Sequence, residues 1–462
     1  MRKQNSVAFF NILSMVLLNG LAIFTGPLFT RLLGDSGYGM LKIYYIWVGA
    51  ISIIFTIQTH GTIVNARVEY PEEKQAGYQS SVMTMSLLCF AAGSLLMGIF
   101  WRPLAAFLGL ENRMLIPLLL QAFGNFAVNF LNTKFVYEFK AGRNLVISLA
   151  VTLTNLCLSL ALIFGLPQVD RYFSRILGVA ATYAVIGIPA CIYVLAKGRV
   201  AFNRDYWRFC LVLAVPSIFY SLSDMILGQC DQIMLQHMVS VAEVGRYASA
   251  WTFGNVMYVI FNALSRTWAP FFFDEFKRGE LDSVRSKTKN FLELFTVLSM
   301  GFILLTREVY HVYVDDRFWS ATPVIPVFVA GYYLNFLCSF PVNYEYYRKQ
   351  NKVVAAVTVA ASILNIALNY FLIKVLGMMG AALATAASHG LQLLLHHLYT
   401  RYRLGKDSYP FRLELWGKYA AAFFAMLVLA YFLDGAPLVR WGLGGAIGLW
   451  EVWRVRKRKV LI

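Results

Sequence analysis

Charge is scarce in this sequence. Of its 462 residues only 14% are charged and 59% are hydrophobic, with a mean hydropathy of +0.59. Soluble domains carry about 25% charged residues, so a fully soluble protein is excluded. Cysteine is sparse as well. Cys89, Cys157, Cys191, Cys210, Cys230 and Cys338 all lie in or beside apolar runs, without CxxC spacing. Neither a disulfide framework nor a zinc site is expected, and no other metal site is read. The chain lacks a Gly-x-x-x-x-Gly-Lys-Ser/Thr loop, His-Glu-x-x-His and GxSxG. It therefore shows no sign of powering itself with ATP, and no catalytic residue or cofactor is expected. His396-His397 reads as interfacial rather than metal-binding. Alternating segments of about 10 residues, the mark of an outer-membrane barrel, are missing too.

What is present is a long series of apolar runs. A bilayer-spanning helix needs about 20 such residues. Fourteen segments qualify, at 8–30, 43–66, 79–101, 114–133, 145–167, 173–196, 209–231, 247–268, 291–313, 321–343, 353–375, 379–400, 415–433 and 436–453. The expected class is an all-α polytopic membrane protein. The first run is of full span length with no small-residue cleavage site after it, so it is expected to stay in the mature protein. The net charge of +17 raises a nucleic-acid reading, which the distribution of cations removes. With the N-terminus inside, 30 Lys and Arg fall on the inner side and 11 on the outer, making up all 41. That asymmetry is the positive-inside pattern, and it predicts that both termini are cytoplasmic. The tail Arg454-Val455-Arg456-Lys457-Arg458-Lys459 then reads as a cytoplasmic stop, or as a contact for anionic lipid.

The sequence also repeats itself. Gly39 matches Gly245 at an offset of 206, Asn155 and Ser159 match Asn365 and Asn369 at 210, and Gly178 matches Gly380 at 202. Three matches in one order predict two six-helix lobes in parallel repeat, 1–200 and 201–405, followed by two further helices and the basic tail over 406–462. Transporters built this way place substrate between the repeats.

Polar residues inside apolar spans mark function or helix contacts. Ser217, Ser221, Asp224, Gly228 and Asp231 share one helical face. Asp224 and Asp231 would be about 10 Å apart along it. The stripe reads as the wall of a substrate or ion cavity, with both carboxylates as ion-coupling candidates. Asp231 reads equally as a helix-end carboxylate. Gln121, Asn125, Asn129 and Asn132 form a second stripe, suited to sugar hydroxyls or to bonding another helix. A third holds Asn255, Asn262 and Arg266. Through the 206 offset Arg266 aligns with His60, and Arg67 follows His60 by seven on the same face. Guanidinium groups there would suit a diphosphate, or would simply snorkel to the interface. Arg31, at the outer end of the first span, is a further candidate on the same terms.

Asp231-Gln-Ile-Met-Leu235 followed by Val244-Gly245-Arg-Tyr247-Ala-Ser-Ala250 resembles the middle motif of Wzx-like lipid-linked oligosaccharide flippases. These are polysaccharide export proteins of the multidrug/oligosaccharidyl-lipid/polysaccharide exporter superfamily. Arg31-Leu-Leu-Gly34 with Tyr38-Gly39, Gly61 with Arg67, the stretch Asn365 to Asn369, and Gly377-Met-Met-Gly380-Ala-Ala-Leu-Ala-Thr385 are similar to the family pattern as well. The likeness covers most of the first twelve spans. It implies a flippase in a bacterial plasma membrane whose two lobes enclose a V-shaped cavity. Its partners would be a polyprenyl-diphosphate-linked glycan, membrane lipid and, for coupling, H+ or Na+. The product would feed surface polysaccharide such as capsule, exopolysaccharide or O-antigen. One departure is that the deep positions here are mostly amides, with His60 standing opposite Arg266. The alternative of the same superfamily is an ion-coupled multidrug exporter. A membrane glycosyltransferase or polymerase would need a larger extramembrane loop than this chain has.

Overall fold

A computed structural model describes residues 2–138, 140–404 and 413–458; side chains before Thr25 and at 141, 227, 266, 267, 413, 455 and 458 lie outside the described residues. The described residues form α-helices and three short 3₁₀ segments, with no strand among them. In order these are α1 (Arg2–Thr56), α2 (Ile63–Glu69), α3 (Glu72–Ile99), α4 (Trp101–Leu108), α5 (Leu115–Tyr137), α6 (Ala141–Gly165), α7 (Arg171–Gly198) and α8 (Arg204–Met238). There follow α9 (Val241–Arg278), α10 (Leu281–Tyr313), α11 (Ile325–Tyr347), α12 (Asn351–Leu376), α13 (Met378–Arg403), α14 (Leu413–Phe432) and α15 (Pro437–Arg458).

Helix is the outcome that a bilayer dictates, because it satisfies the backbone groups of a segment within that segment. Among the described residues ten helical segments are long and apolar enough to cross a membrane. Leu95, Phe164, Phe219 and Phe371 are large apolar side chains left exposed on them. Such surface is at home in lipid and costly in water. The protein is a multi-pass membrane protein. α10 and α15 are not among the ten, and they carry the buried ionic groups Glu293, Glu451 and Arg454.

The chain packs as two compact units, Met1–Gln229 and Cys230–Ile462, dividing within α8. In the first, α7 packs on α3, α5 and α6. In the second, α13 packs on α11 and α12, while α14 and α15 join through α10. The pairs α6·α7 and α12·α13 both pack closely, and a glycine lies at each close approach. A Cβ on Gly178 would lie 2.7 Å from the Ser159 Cα, and one on Gly380 would lie 2.2 Å from the Leu372 carbonyl oxygen. Only glycine lets the backbones approach so nearly, as small residues do generally in membrane helix contacts.

Two chain breaks shape the first unit. Gly34 (φ 72°, ψ 178°) breaks α1, separating the first two apolar runs. The second run, read as one span to residue 66, is itself interrupted. Helix stops at Thr56, and Ile57 (φ 53°) and Gln58 (φ 48°) take the left-handed conformation. A 3₁₀ turn, Thr59–Thr62, leads into α2. A β-branched residue at positive φ is strained, so the surroundings must hold it. Thr59 meets the Ser86 hydroxyl at 2.6 Å, Thr62 meets the Tyr78 hydroxyl at 2.7 Å, and Ser221 donates to Gln58 Oε1 at 2.9 Å.

Substituting Gly380→Ala should lower stability by about 1–3 kcal/mol through overpacking. Gly301→Ala, where a Cβ meets nothing within 4 Å, serves as the control. Thermal melts in detergent should separate the two; equal melting would contradict this helix contact.

Candidate functional site

The strongest polar cluster lies wholly in the second unit and centres on Asp231. Its helix α8 carries the carboxylate into packing that leaves it 3% exposed, so it is not a helix-end group in water. Tyr247 of α9 donates its hydroxyl to Oδ2. The Gln232 backbone N–H donates to Oδ1 at 2.8 Å, and the Thr385 hydroxyl of α13 interacts electrostatically with the same carboxylate. From α12, one turn apart, come Asn365 and Asn369, both fully buried. Asn365 Nδ2 donates to Thr385 Oγ1 at 3.3 Å, and Asn369 Nδ2 donates to Asn365 Oδ1 at 3.0 Å. The Cys230 thiol points to the same Asn365 oxygen at 3.3 Å. Asn369 Oδ1 is buried with no hydrogen-bond partner.

Buried polar atoms are normally satisfied, and an isolated buried carboxylate is costly. Here a carboxylate, two buried amides and a hydroxyl lie in one polar cluster, without a cation in ion-pair contact with Asp231 among the described residues. All-oxygen sets of this kind suit hard cations, and the carboxylate can take a proton instead. The first unit shows the contrasting solution at the repeat-related positions. There Asn155 and Ser159 both accept from Arg175 of α7, whose guanidinium also lies 3.9 Å from the Phe29 ring centre. The first unit supplies its polar pair with a covalently tethered cation, and among the described residues the second shows none at Asp231.

Other candidates are placed less compactly. Asp224 is exposed on α8, within the first unit. Asn129 donates to Asn125 at 3.2 Å, so the two amides partly satisfy each other on α5. His60 lies in the 3₁₀ turn in a T-shaped contact with Phe126, and its Nδ1 is buried without a hydrogen-bond partner. Arg31 and Arg67 are exposed. In the second unit Asn255 is half-buried, and Asn262 donates to the Tyr258 carbonyl one turn back at 3.0 Å. Arg266 stands on α9, but its side chain lies outside the described residues. His396 is buried, with Nδ1 2.9 Å from the Glu345 carboxylate.

Tyr247, Asn365, Asn369 and Thr385 were not among the candidates drawn from the polar stripes. The signal was present, since Asn365 and Asn369 have the i, i+4 spacing that singled out Asn125 and Asn129. They had registered only as members of the repeat and the family pattern.

Comparison with known proteins agrees with this architecture. The family described as polysaccharide biosynthesis protein matches residues 7–276. A Haloferax volcanii protein named "Probable low-salt glycan biosynthesis flippase Agl15" is 23% identical over 384 residues, covering 80% of this chain and 78% of that one. The solved structure titled "Lipid II flippase MurJ, inward closed conformation" superposes with a TM-score of 0.75 at 14% identity, covering 98% of this chain and 99% of that one. An inward-facing multidrug resistance MATE family transporter of the MOP superfamily gives 0.66 at 13% identity, covering 86% and 98%. At these identities the structures share the fold.

In a cysteine-free background, Asp224→Cys should react with a membrane-impermeant maleimide, because an exposed carboxylate at this depth belongs in water rather than lipid. Asp231→Cys should react only after denaturation. Labelling of both in the folded protein would contradict the burial of Asp231.

Proposed function

Because this chain belongs to the polysaccharide biosynthesis protein family, we propose that it is a flippase. It carries a polyprenyl-diphosphate-linked oligosaccharide from the inner to the outer leaflet of a bacterial plasma membrane, for surface polysaccharide assembly. Both termini are cytoplasmic, as the 30 to 11 distribution of basic residues favours. Transport proceeds by alternating access of the two halves, driven by Na+ or H+.

The observation that carries the reading is the buried oxygen cluster at Asp231. A carboxylate and amides held dry without a countercharge are unfavourable, and a mobile cation would relieve that cost. The orphaned Asn369 oxygen favours Na+, since a proton on Asp231 would leave it unsatisfied. Asp231, Asn365, Asn369 and Thr385 would hold the ion. Asp224, exposed in the other unit, is another carboxylate on the same helix and is better placed than Asp231 to meet water. Toward the substrate, the exposed Arg31 and Arg67 offer charge to a diphosphate, with Arg266 their counterpart in the second half. His60, Asn125, Asn129, Asn255 and Asn262 offer hydrogen bonds to sugar hydroxyls. The name of the archaeal relative and the family description support a glycan cargo. The likeness to a multidrug transporter supports a second reading, an ion-coupled multidrug exporter.

One assay separates them. The protein is reconstituted in vesicles with a fluorescent polyprenyl-diphosphate oligosaccharide, and protection from an external quencher is scored with and without a sodium or pH gradient. Translocation should occur, should accelerate with the gradient, and should lose that acceleration in Asp231→Asn. Arg67→Ala should slow it about tenfold or more, the worth of a charged hydrogen bond to phosphate. No movement of the lipid, with uptake of cationic dyes instead, would overturn the flippase in favour of the exporter.

A further inference from the structure

Away from the Asp231 cluster, the second unit contains a cavity of about 260 Å³. It lies where the C-terminal ends of α10 and α14 meet the start of α15 and the 3₁₀ segment Asp316–Val324. Its walls include Arg307, His311, Trp319, Thr322, Asp434 and Arg440. His311 stacks flat on Trp319, ring centres 4.4 Å apart and planes 7° from parallel. His311 Nε2 is 2.9 Å from Thr322 Oγ1, and Thr322 donates to the Trp319 carbonyl at 2.7 Å. The indole is thereby fixed from behind, yet 44% of Trp319 stays exposed. Arg307 pairs with Asp434 and donates to its carbonyl at 2.7 Å. Arg440 is 3% exposed and pairs with Glu308. Its Nε and the Glu308 Oε2 are buried without hydrogen-bond partners.

Each feature narrows the ligand. Both guanidinium groups of the lining are already paired, Arg307 with Asp434 of the same wall and Arg440 with Glu308 outside it, so the cavity does not select for strong charge. Its lining carries both donors, on Arg307 and Arg440, and acceptors, on Asp434 and Thr322, which suits hydroxyl groups that both give and receive hydrogen bonds. A rigid, half-exposed indole beside such a wall suits a flat ligand face of C–H bonds. The volume falls just under the ~300 Å³ at which drug-sized pockets begin, room for one ring rather than a chain. We propose that this cavity is a carbohydrate subsite that holds one neutral sugar ring, with the ring lying on Trp319 and its hydroxyls on Arg307 and Asp434. Resting on the flippase reading and its cytoplasmic termini, the site faces the outer side. It would receive the leading sugar of the glycan after translocation and disfavour its return. The assignment also gives α14 and α15 a task, since Asp434 and Arg440 come from the segment they contribute.

The test uses the full chain in lipid nanodiscs and saturation-transfer NMR with the methyl glycosides of glucose, galactose, N-acetylglucosamine and glucuronic acid. At least one neutral glycoside should receive saturation at its ring C–H protons. Trp319→Ala should weaken that binding about five- to tenfold, and Trp319→Phe should largely restore it. Because Trp319 is exposed, neither variant should disturb folding, which the melting temperature verifies. Transfer to none of the four, to the glucuronide alone, or equally in Trp319→Ala would overturn the proposal. Vesicle flipping by the same preparations separates the two readings. Flipping without glycoside binding overturns the subsite alone. Glycoside binding without flipping supports the subsite and overturns the flippase.

Discussion

A carboxylate deprived of water is the constraint around which the second unit is organised. Asp231 sits where solvent cannot pay for its charge, and an unpaired buried ion is among the costliest features a fold can hold. The protein meets it with hydroxyls from α9 and α13 and, beside them, two amides from α12. These interactions tie four helices to one point. In the first unit Arg175, which can neither leave nor lose its charge, donates to the neutral Asn155 and Ser159. The polar pair of the first unit thus holds a cation of the chain, whereas among the described residues no cation is in ion-pair contact with Asp231. On the proposed reading that difference makes one half a fixed body and the other responsive to an ion.

The same electrostatic logic secures the last two helices. α15 is joined to α10 by Arg454, which meets Glu293 at 2.6 Å and also pairs with Glu451, all three buried. Toward the other end Arg440 meets Glu308, and Arg307 meets Asp434 just beyond α14. Between these ends the contact is aromatic, as where Phe423 of α14 stacks on Tyr333 with ring centres 4.1 Å apart. Such pairs do little for stability relative to apolar packing, but breaking one leaves a buried charge behind. They therefore fix which helices meet, and at what register.

The fold class was open to reading because hydropathy and the obligation to satisfy the backbone leave a bilayer protein few choices. Gly178 and Gly380, which the repeat singled out, each sit against a neighbouring helix at contact distances that admit no side chain. The interruption after Thr56 was not legible. Ile57 and Gln58 are neither glycine nor proline, and only tertiary bonds such as Ser221 to Gln58 hold them at positive φ. Asp231 stood out as an intramembrane carboxylate, yet its partners lie up to 154 positions away in sequence, at Thr385. Helical spacing reports which residues share a face; it cannot report which face another helix presents to it. For the same reason Arg175, bonded to Asn155 and Ser159, passed as an ordinary cation near the end of a span.

The central claim is that the Asp231 cluster binds a sodium ion. It is tested most directly by melting the detergent-solubilised protein in sodium chloride and in choline chloride at equal ionic strength. A ligand bound only by the folded state stabilises it by about 2.7 kcal/mol at a hundredfold excess over its Kd. The account expects sodium to raise the melting temperature of the wild type by several degrees, and expects Asp231→Asn and Asn369→Ala to lose the increment. Identical melting in both salts, or a sodium increment that survives Asp231→Asn, would contradict it.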